Sequence, residues 1–292
     1  MRRPGNLGLA GWVFLSPWLI SFLLFGLYPI LASFVLSFRE YSPLAPQASR
    51  FLGLANYAEA LHDGTFWRAL GNTLYFTFGT LPFTTAIALG LAVCLDRAFP
   101  GRTWFRAAFF LPTVVSVVVL SIVFKALYSP DGPLTGVLHA FGLAAPRWLL
   151  DPHTALPSIM AMDVWAASGY YMVIFLAGLK AIPVELYESA ALDGAGPWRR
   201  FVGITLPMLR PTFLFVLVVN TIRSLQIFTE VFVMTRGGPL DSTLTVVYYL
   251  YDQAFYRFRL GYASAVAYLL FAVTLAISLL QVRWLKLAGA KE

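Results

Sequence analysis

The chain has 292 residues, 59% of them hydrophobic and 12% charged, with a net charge of +7 and a single cysteine. Soluble domains carry about 25% charged residues, so half that value together with long apolar runs excludes an ordinary soluble domain and indicates an integral membrane protein. Cys94 alone excludes an intrachain disulfide framework, His62, His139 and His153 are scattered without metal-ligand spacing, and no glycine-rich phosphate loop ending in Gly-Lys-Ser/Thr occurs.

A membrane-crossing helix needs about 20 mostly apolar residues. Six segments meet that requirement, at about 10–37, 70–95, 107–128, 158–180, 211–235 and 262–285. The first follows Met1-Arg2-Arg3 and is longer than the core of about 7–15 residues found in signal peptides, so it reads as a true span. Pro17, Pro29, Pro82 and Pro112 are expected to interrupt helical runs and leave carbonyls seeking new partners. The fold class expected is all-α: one transmembrane domain, 1–292, of six helices. Its longest inner segment is 181–210.

An even number of spans puts both termini on one side. With the N-terminus cytoplasmic, the inner segments hold twelve of the 21 basic residues: Arg2, Arg3, Arg97, Arg102, Arg106, Lys180, Arg199, Arg200, Arg210, Arg283, Lys286 and Lys291. Only five acids accompany them, namely Asp96, Glu185, Glu188, Asp193 and Glu292. The positive-inside rule selects this orientation, so the net charge is a topology signal and nucleic acid is not an expected partner. The outer segments, about 38–69, 129–157 and 236–261, are too short for ordinary folded domains. Their aromatics, Trp67, Trp148, Tyr248, Tyr249, Tyr251 and Tyr256, read as interface anchors ahead of ligand contacts.

The inner loop has a legible local design. Pro183 suits a helix start, and Glu185 and Glu188 lie toward the positive end of the helix that follows. Ala190 and Ala191 make a smooth flank, Asp193-Gly194 stops the helix with a left-handed cap, and Pro197 starts a second short helix bearing Phe201, Ile204 and Leu206. Pro207 and Pro211 then redirect the chain into the fifth span. On these grounds alone the segment is either a docking element for a cytoplasmic partner or an interfacial connector between spans.

The pattern Glu188, Ala190, Ala191, Asp193, Gly194, Ala195, then Ile204, Leu206 and Pro207, closely resembles the "EAA" loop of permease subunits of bacterial binding-protein-dependent ABC importers. Ser189 stands where alanine is commonest. "FLGLANY" (51–57), "NTLYFT" (72–77) and "GGPLDSTLTVVYYLYDQAF" (237–255) extend the resemblance along nearly the whole chain and are similar to the carbohydrate-type, maltose and glycerol-3-phosphate branch. The large extra outer domain of some maltose permeases is absent from this sequence. The resemblance implies that Glu188, Ala190, Ala191, Asp193, Gly194 and Ala195 form a coupling helix seated on an ATPase. It also implies two ATP-binding cassette subunits that bind ATP and Mg, and an extracytoplasmic solute-binding protein. A second permease subunit, expected to make a heterodimer, completes the set. The chain itself is expected to hold no cofactor or metal, to catalyse no covalent chemistry, and to lie in a bacterial cell (inner) membrane with cytoplasmic termini.

In the fifth span, Asn220, Arg223, Gln226 and Glu230 fall within an arc about 120° wide when projected on one continuous helix. Arg223 lies about 18 Å along a helix from Pro211, near mid-depth, where a charge is costly unless it faces a polar cavity or a partner. The face reads as the solute pathway, or else as an Arg223–Glu230 pair that packs two helices. Asp163 is a weaker candidate, and Trp165, Tyr170 and Tyr171 read as packing residues able to stack on sugar rings. The function expected is ATP-driven import of a sugar or sugar-like solute. The alternatives are an ion-coupled secondary transporter using the Arg/Glu pair and, further off, a membrane-embedded enzyme.

Overall fold

The computed structural model describes residues 5–289, with side chains described over 11–284. Arg2, Arg3, Lys291 and Glu292, and the side chain of Lys286, counted above for orientation, lie outside the described parts. The chain divides into two compact units, residues 1–63 with 250–269 and residues 64–249 with 270–292.

The first unit begins with helix α1 (Gly5–Phe22), a widened π-helical turn at Leu23–Leu27, and α2 (Tyr28–Ser37). The proline effects divide by position. Pro17 sits within a continuous α1, whereas Pro29 opens α2 directly after the widened turn, which absorbs the missing N–H. A two-residue antiparallel ladder follows, β1 (Arg39–Glu40) with β2 (Arg50–Phe51), and then α3 (Ala55–His62). Asn56 Nδ2 donates to the carbonyls of Ser37 (2.8 Å) and Arg39 (3.0 Å), capping the end of α2 where helical partners run out.

The second unit opens with α4 (Gly64–Asp96), which is continuous through Pro82. Then come α5 (Arg102–Val114), α6 (Val117–Leu127), α7 (Pro133–Ala140) and α8 (Ala155–Lys180). The inner loop forms α9 (Val184–Leu192), α10 (Pro197–Arg200), a π-helical turn at Phe201–Thr205 and α11 (Leu206–Met208). The fifth span is α12 (Arg210–Leu225) followed by α13 (Thr229–Met234). After it, α14 (Val246–Tyr251) and α15 (Leu260–Gly289) complete the chain, α15 having its start in the first unit. There, Arg259 grips Glu59 with two bonds (2.6 and 2.7 Å) and Tyr262 donates to Asp63 (3.0 Å).

Among the described residues, five helices are long and apolar enough to cross a membrane: 11–37, 64–96, 155–180, 210–234 and 260–284. The expected third span, 107–128, is not one straight helix. Its halves α5 and α6 meet at a 97° bend at Val115 and Ser116, just beyond Pro112, whose ring cannot supply an N–H. The expected continuous fifth helix is likewise broken, between Leu225 and Thr229.

α4 packs along α8. Four of its buried threonines return their hydroxyls to their own helix, Thr73 to Ala69, Thr77 to Thr73, Thr80 to Phe76 and Thr85 to Leu81, at 2.7–2.9 Å, while the Thr84 hydroxyl is buried without a partner. The core at one end gathers Ala88, Ala92, Leu95, Tyr171, Phe175, Leu179, Ile182, Leu209 and Val216. Trp148 is half-buried and packs against the core: it stacks on Tyr128 at 5.1 Å and donates to Thr135 at 3.2 Å. Tyr249 is buried, while Trp67 and Tyr256 are exposed as an anchor requires.

Gly169 of α8 lies against the carbonyl of Phe109 in α5, leaving no room for a side chain. Gly169→Ala is therefore expected to force the two helices apart and destabilise the protein by about 1–3 kcal/mol. A lowered thermal midpoint in detergent checks this, and an unchanged midpoint refutes the close approach.

Candidate functional site

The inner loop folds as its residues dictate. Pro183 caps α9, whose nine residues run to Leu192 with none buried. Gly194 takes φ +74°, and two hydrogen bonds close the turn, Ala195 N to Ala190 O (2.9 Å) and Gly194 N to Ala191 O (3.1 Å). That pair is the Schellman arrangement, which satisfies the last carbonyls of the helix. Arg200 Nε then donates to Ala195 O (2.7 Å), and the Tyr187 hydroxyl meets that of Thr205 (2.9 Å). Tyr187 and Ile204 pack on the core around Leu179 and Leu209, so the loop is held to the bundle from below. Its outer side is bare. Glu188, Ala191, Asp193 and Gly194 are exposed, Ala190 and Ala195 are half-buried, and Leu192 is 91% exposed. Val184 and Trp198 are exposed apolar side chains on the same loop.

The second site lies where the two helix breaks meet. A cleft of about 200 Å³ is lined by Asp163 of α8, Arg223 and Ser224 of α12, Gln226 in the break, Thr229 and Glu230 of α13, and Val117 at the start of α6. Asp163, 8% exposed at its side chain, accepts from Arg223 Nη2 at 3.3 Å. Arg223 is thus tied to α8. The Arg223–Glu230 ion pair expected from spacing, on which an ion-coupled mechanism would rest, is replaced by Arg223–Asp163. Glu230 is buried at the start of α13, in the same cleft.

The break also corrects the helical projection. Past Leu225 the residues no longer advance by 100° each, and Gln226 and Glu230 reach the cleft because the chain turns. Asn220, still within α12, is 1% exposed and lies off the cleft, its Oδ1 facing Ser224 Oγ at 3.4 Å. Tyr171 is fully buried beside Arg223. Trp165 lines a separate, apolar cavity of about 520 Å³. Asp163 therefore outranks Asn220 at this site. As an acid inside a span Asp163 was already a candidate from the sequence, but its weight at the site was not legible there, because its partner lies 60 positions away.

An apposed carboxylate and guanidinium, an amide, a second carboxylate and hydroxyls within one small cleft offer hydrogen bonds of both polarities. No group of three or more metal-ligating side chains occurs among the described residues.

The family described as "Binding-protein-dependent transport system inner membrane component" matches residues 60–286. The chain is 38% identical over 280 residues to the lactose transport system permease protein of Rhizobium radiobacter, covering 93% of this chain and 92% of that one. It is 35% identical over 285 residues to the arabinooligosaccharides transport system permease protein of Bacillus subtilis (strain 168), covering 96% and 89%. In fold it is similar to a chain in the crystal structure of a bacterial alginate ABC transporter in complex with an alginate pentasaccharide-bound periplasmic protein. There the TM-score is 0.85 at 23% identity, with 97% and 96% of the two chains covered. With a matched segment spanning most of its length and relatives aligned almost end to end, this chain belongs to the binding-protein-dependent transport system inner membrane component family.

Proposed function

We propose that this chain is the permease subunit of an ABC importer for a sugar or sugar-like solute, and that its helices form the solute's path through the membrane. The observation that carries the reading is end-to-end similarity to permeases named for lactose and for arabinooligosaccharides. The polar cleft at Asp163, Arg223, Gln226 and Glu230 agrees with an oxygen-rich cargo. Asn220 belongs to this pathway as a buried support of Ser224.

In this reading α9 is the coupling helix. Glu188, Ala190, Ala191, Asp193, Gly194 and Ala195 meet a separate ATP-binding cassette subunit, two of which hold the ATP and Mg. Leu192 enters that contact. A second, different permease subunit completes the pathway, an extracytoplasmic binding protein delivers the solute, and the termini are cytoplasmic in a bacterial inner membrane. ATP-driven closure moves the bundle only insofar as the ATPase binds α9 differently in its two states.

The test is reconstitution of the chain with its co-purifying subunits into proteoliposomes. Uptake of labelled lactose, maltose, trehalose and an arabino-oligosaccharide is measured with the cognate binding protein present. ATP-dependent uptake of one of these that survives collapse of ion gradients is expected. Uptake that follows an ion gradient and ignores ATP removal overturns the reading.

A further inference from the structure

Two stretches of the sequence, 72–77 and the 237–249 part of the later motif, are far apart in the chain and are bound together within the second unit. Asn72 Nδ2 donates to the carbonyls of both Asp241 and Leu244, each at 2.9 Å. Thr73, the next residue of α4, gives its hydroxyl hydrogen to Ala69 O at 2.8 Å. Its oxygen is then left to accept the Val246 N–H at 3.0 Å. Arg68 adds an ion pair to Asp241 at 3.5 Å. Across the loop, Thr243 donates to Gly238 O (2.7 Å) and meets the Thr235 hydroxyl (2.8 Å). Leu240 and Asp241 adopt left-handed φ angles of 50° and 58°, conformations that non-glycine residues hold only where their surroundings over-determine them.

Thr245 sits between these clamps, 0% exposed, and its hydroxyl donates to the carbonyl of Ile227 at 3.2 Å. Ile227 lies in the middle of the break between α12 and α13. A helix interrupted at membrane depth leaves backbone groups without helical partners, and irregular backbone survives there only where protein satisfies it. Here the donor comes from eighteen residues further on. The bond ends between Gln226 and Glu230, so its loss shifts the two walls of the cleft against each other before it disturbs the flanking helices.

We propose that Thr245 is a positioning residue for the cleft: clamped by Asn72 and Thr73, its hydroxyl fixes the Ile227 carbonyl and so sets Arg223, Gln226 and Glu230 at the spacing a solute meets. This rests on the reading of the cleft as part of the solute pathway.

The test uses the reconstituted importer with whichever of lactose, maltose, trehalose or arabino-oligosaccharide gives the highest uptake. Thr245→Val keeps the shape and removes the donor, while Thr245→Ser keeps the donor. Thr245→Val is expected to raise the KM for uptake about fivefold with Vmax changed by less than about twofold, and Thr245→Ser to restore the KM. Amide hydrogen exchange over residues 226–230, which needs no solute, is expected to quicken about fivefold in Thr245→Val and not in Thr245→Ser. Unchanged exchange in Thr245→Val overturns the proposal. Quickened exchange with unchanged KM means that the clamp holds the break but that the cleft is not on the solute's path, which overturns the pathway reading instead. Should Thr245→Val fail to assemble, Thr73→Val keeps the side-chain shape and removes the acceptor for the Val246 N–H together with the local bond to Ala69 O. A smaller KM rise in the same direction then supports the proposal, and none overturns it.

Discussion

Gly194→Pro is expected to lower solute uptake per ATP hydrolysed by about tenfold or more, the scale of a coupling free energy lost between two sites. The reason is local and threefold. Gly194 holds φ +74°, which proline cannot adopt because its ring fixes φ near −65°. Proline also lacks the N–H that bonds Ala191 O. Once that turn opens, the Ala195 N–H no longer reaches Ala190 O, and α9 frays toward the very residues proposed to meet the ATPase. No residue of α9 is fully buried, and Tyr187, the one that packs on the core around Leu179 and Leu209, lies two turns before the altered cap, so the thermal midpoint should stay close to that of the parent. Gly194→Ala, which pays only the left-handed penalty of about 1–2 kcal/mol, is expected to fall between the two. Proteoliposome uptake measured alongside ATP hydrolysis reads the ratio directly. Full coupling in the proline variant would remove α9 from the mechanism.

The pair at the cleft separates stability from transport. Asp163→Leu strands the Arg223 guanidinium without its carboxylate. Breaking a pair in this one-sided way is expected to cost about 3 kcal/mol, the low end of the range for buried pairs because Arg223 keeps 41% side-chain exposure. Replacing both residues, Asp163→Leu with Arg223→Leu, removes the orphaned charge. Stability should then return only in part, because Glu230, buried in the same cleft, is left without the neighbouring guanidinium. Uptake should not return, because the cleft has lost its polar wall. A double variant that transports at the parental rate would make the pair a mere fastener of α8 to α12. Thermal midpoints and uptake on the same three preparations decide the matter.

These expectations rest on features of unequal legibility. The inner loop could be read residue by residue because each decision in it is local. Pro183 and Pro197 start helices, Gly194 ends one, and the structure gives these residues those roles. The spans were legible from apolar length. Their interruptions were not: the run 210–234 has the composition of one helix, yet it breaks at Gln226, where the Thr245 hydroxyl donates to the Ile227 carbonyl from eighteen residues further on. The bend at Val115 and Ser116 is preceded by Pro112, but Pro82 sits in a helix that continues straight through. A proline permits a break, and its packing neighbours determine whether one occurs. Reading Arg223 and Glu230 as a pair assumed helical periodicity across a region that has none.

By itself, the sequence determined that this is a multi-pass α-helical membrane protein with a short, glycine-capped helix between its fourth and fifth spans. Hydropathy, proline and glycine act through their immediate neighbours, so no fold was needed to read them. Only the tertiary structure decided that Arg223 pairs with Asp163, that Asn220 stands off the cleft, and that Asn72 and Thr73 hold the loop that supports Ile227. Those partners are separated by tens to well over a hundred residues, and which of them meet depends on how the helices are set against one another along their lengths. Because no local pattern encodes that register, the cleft could be outlined from the sequence but its members could not be assigned.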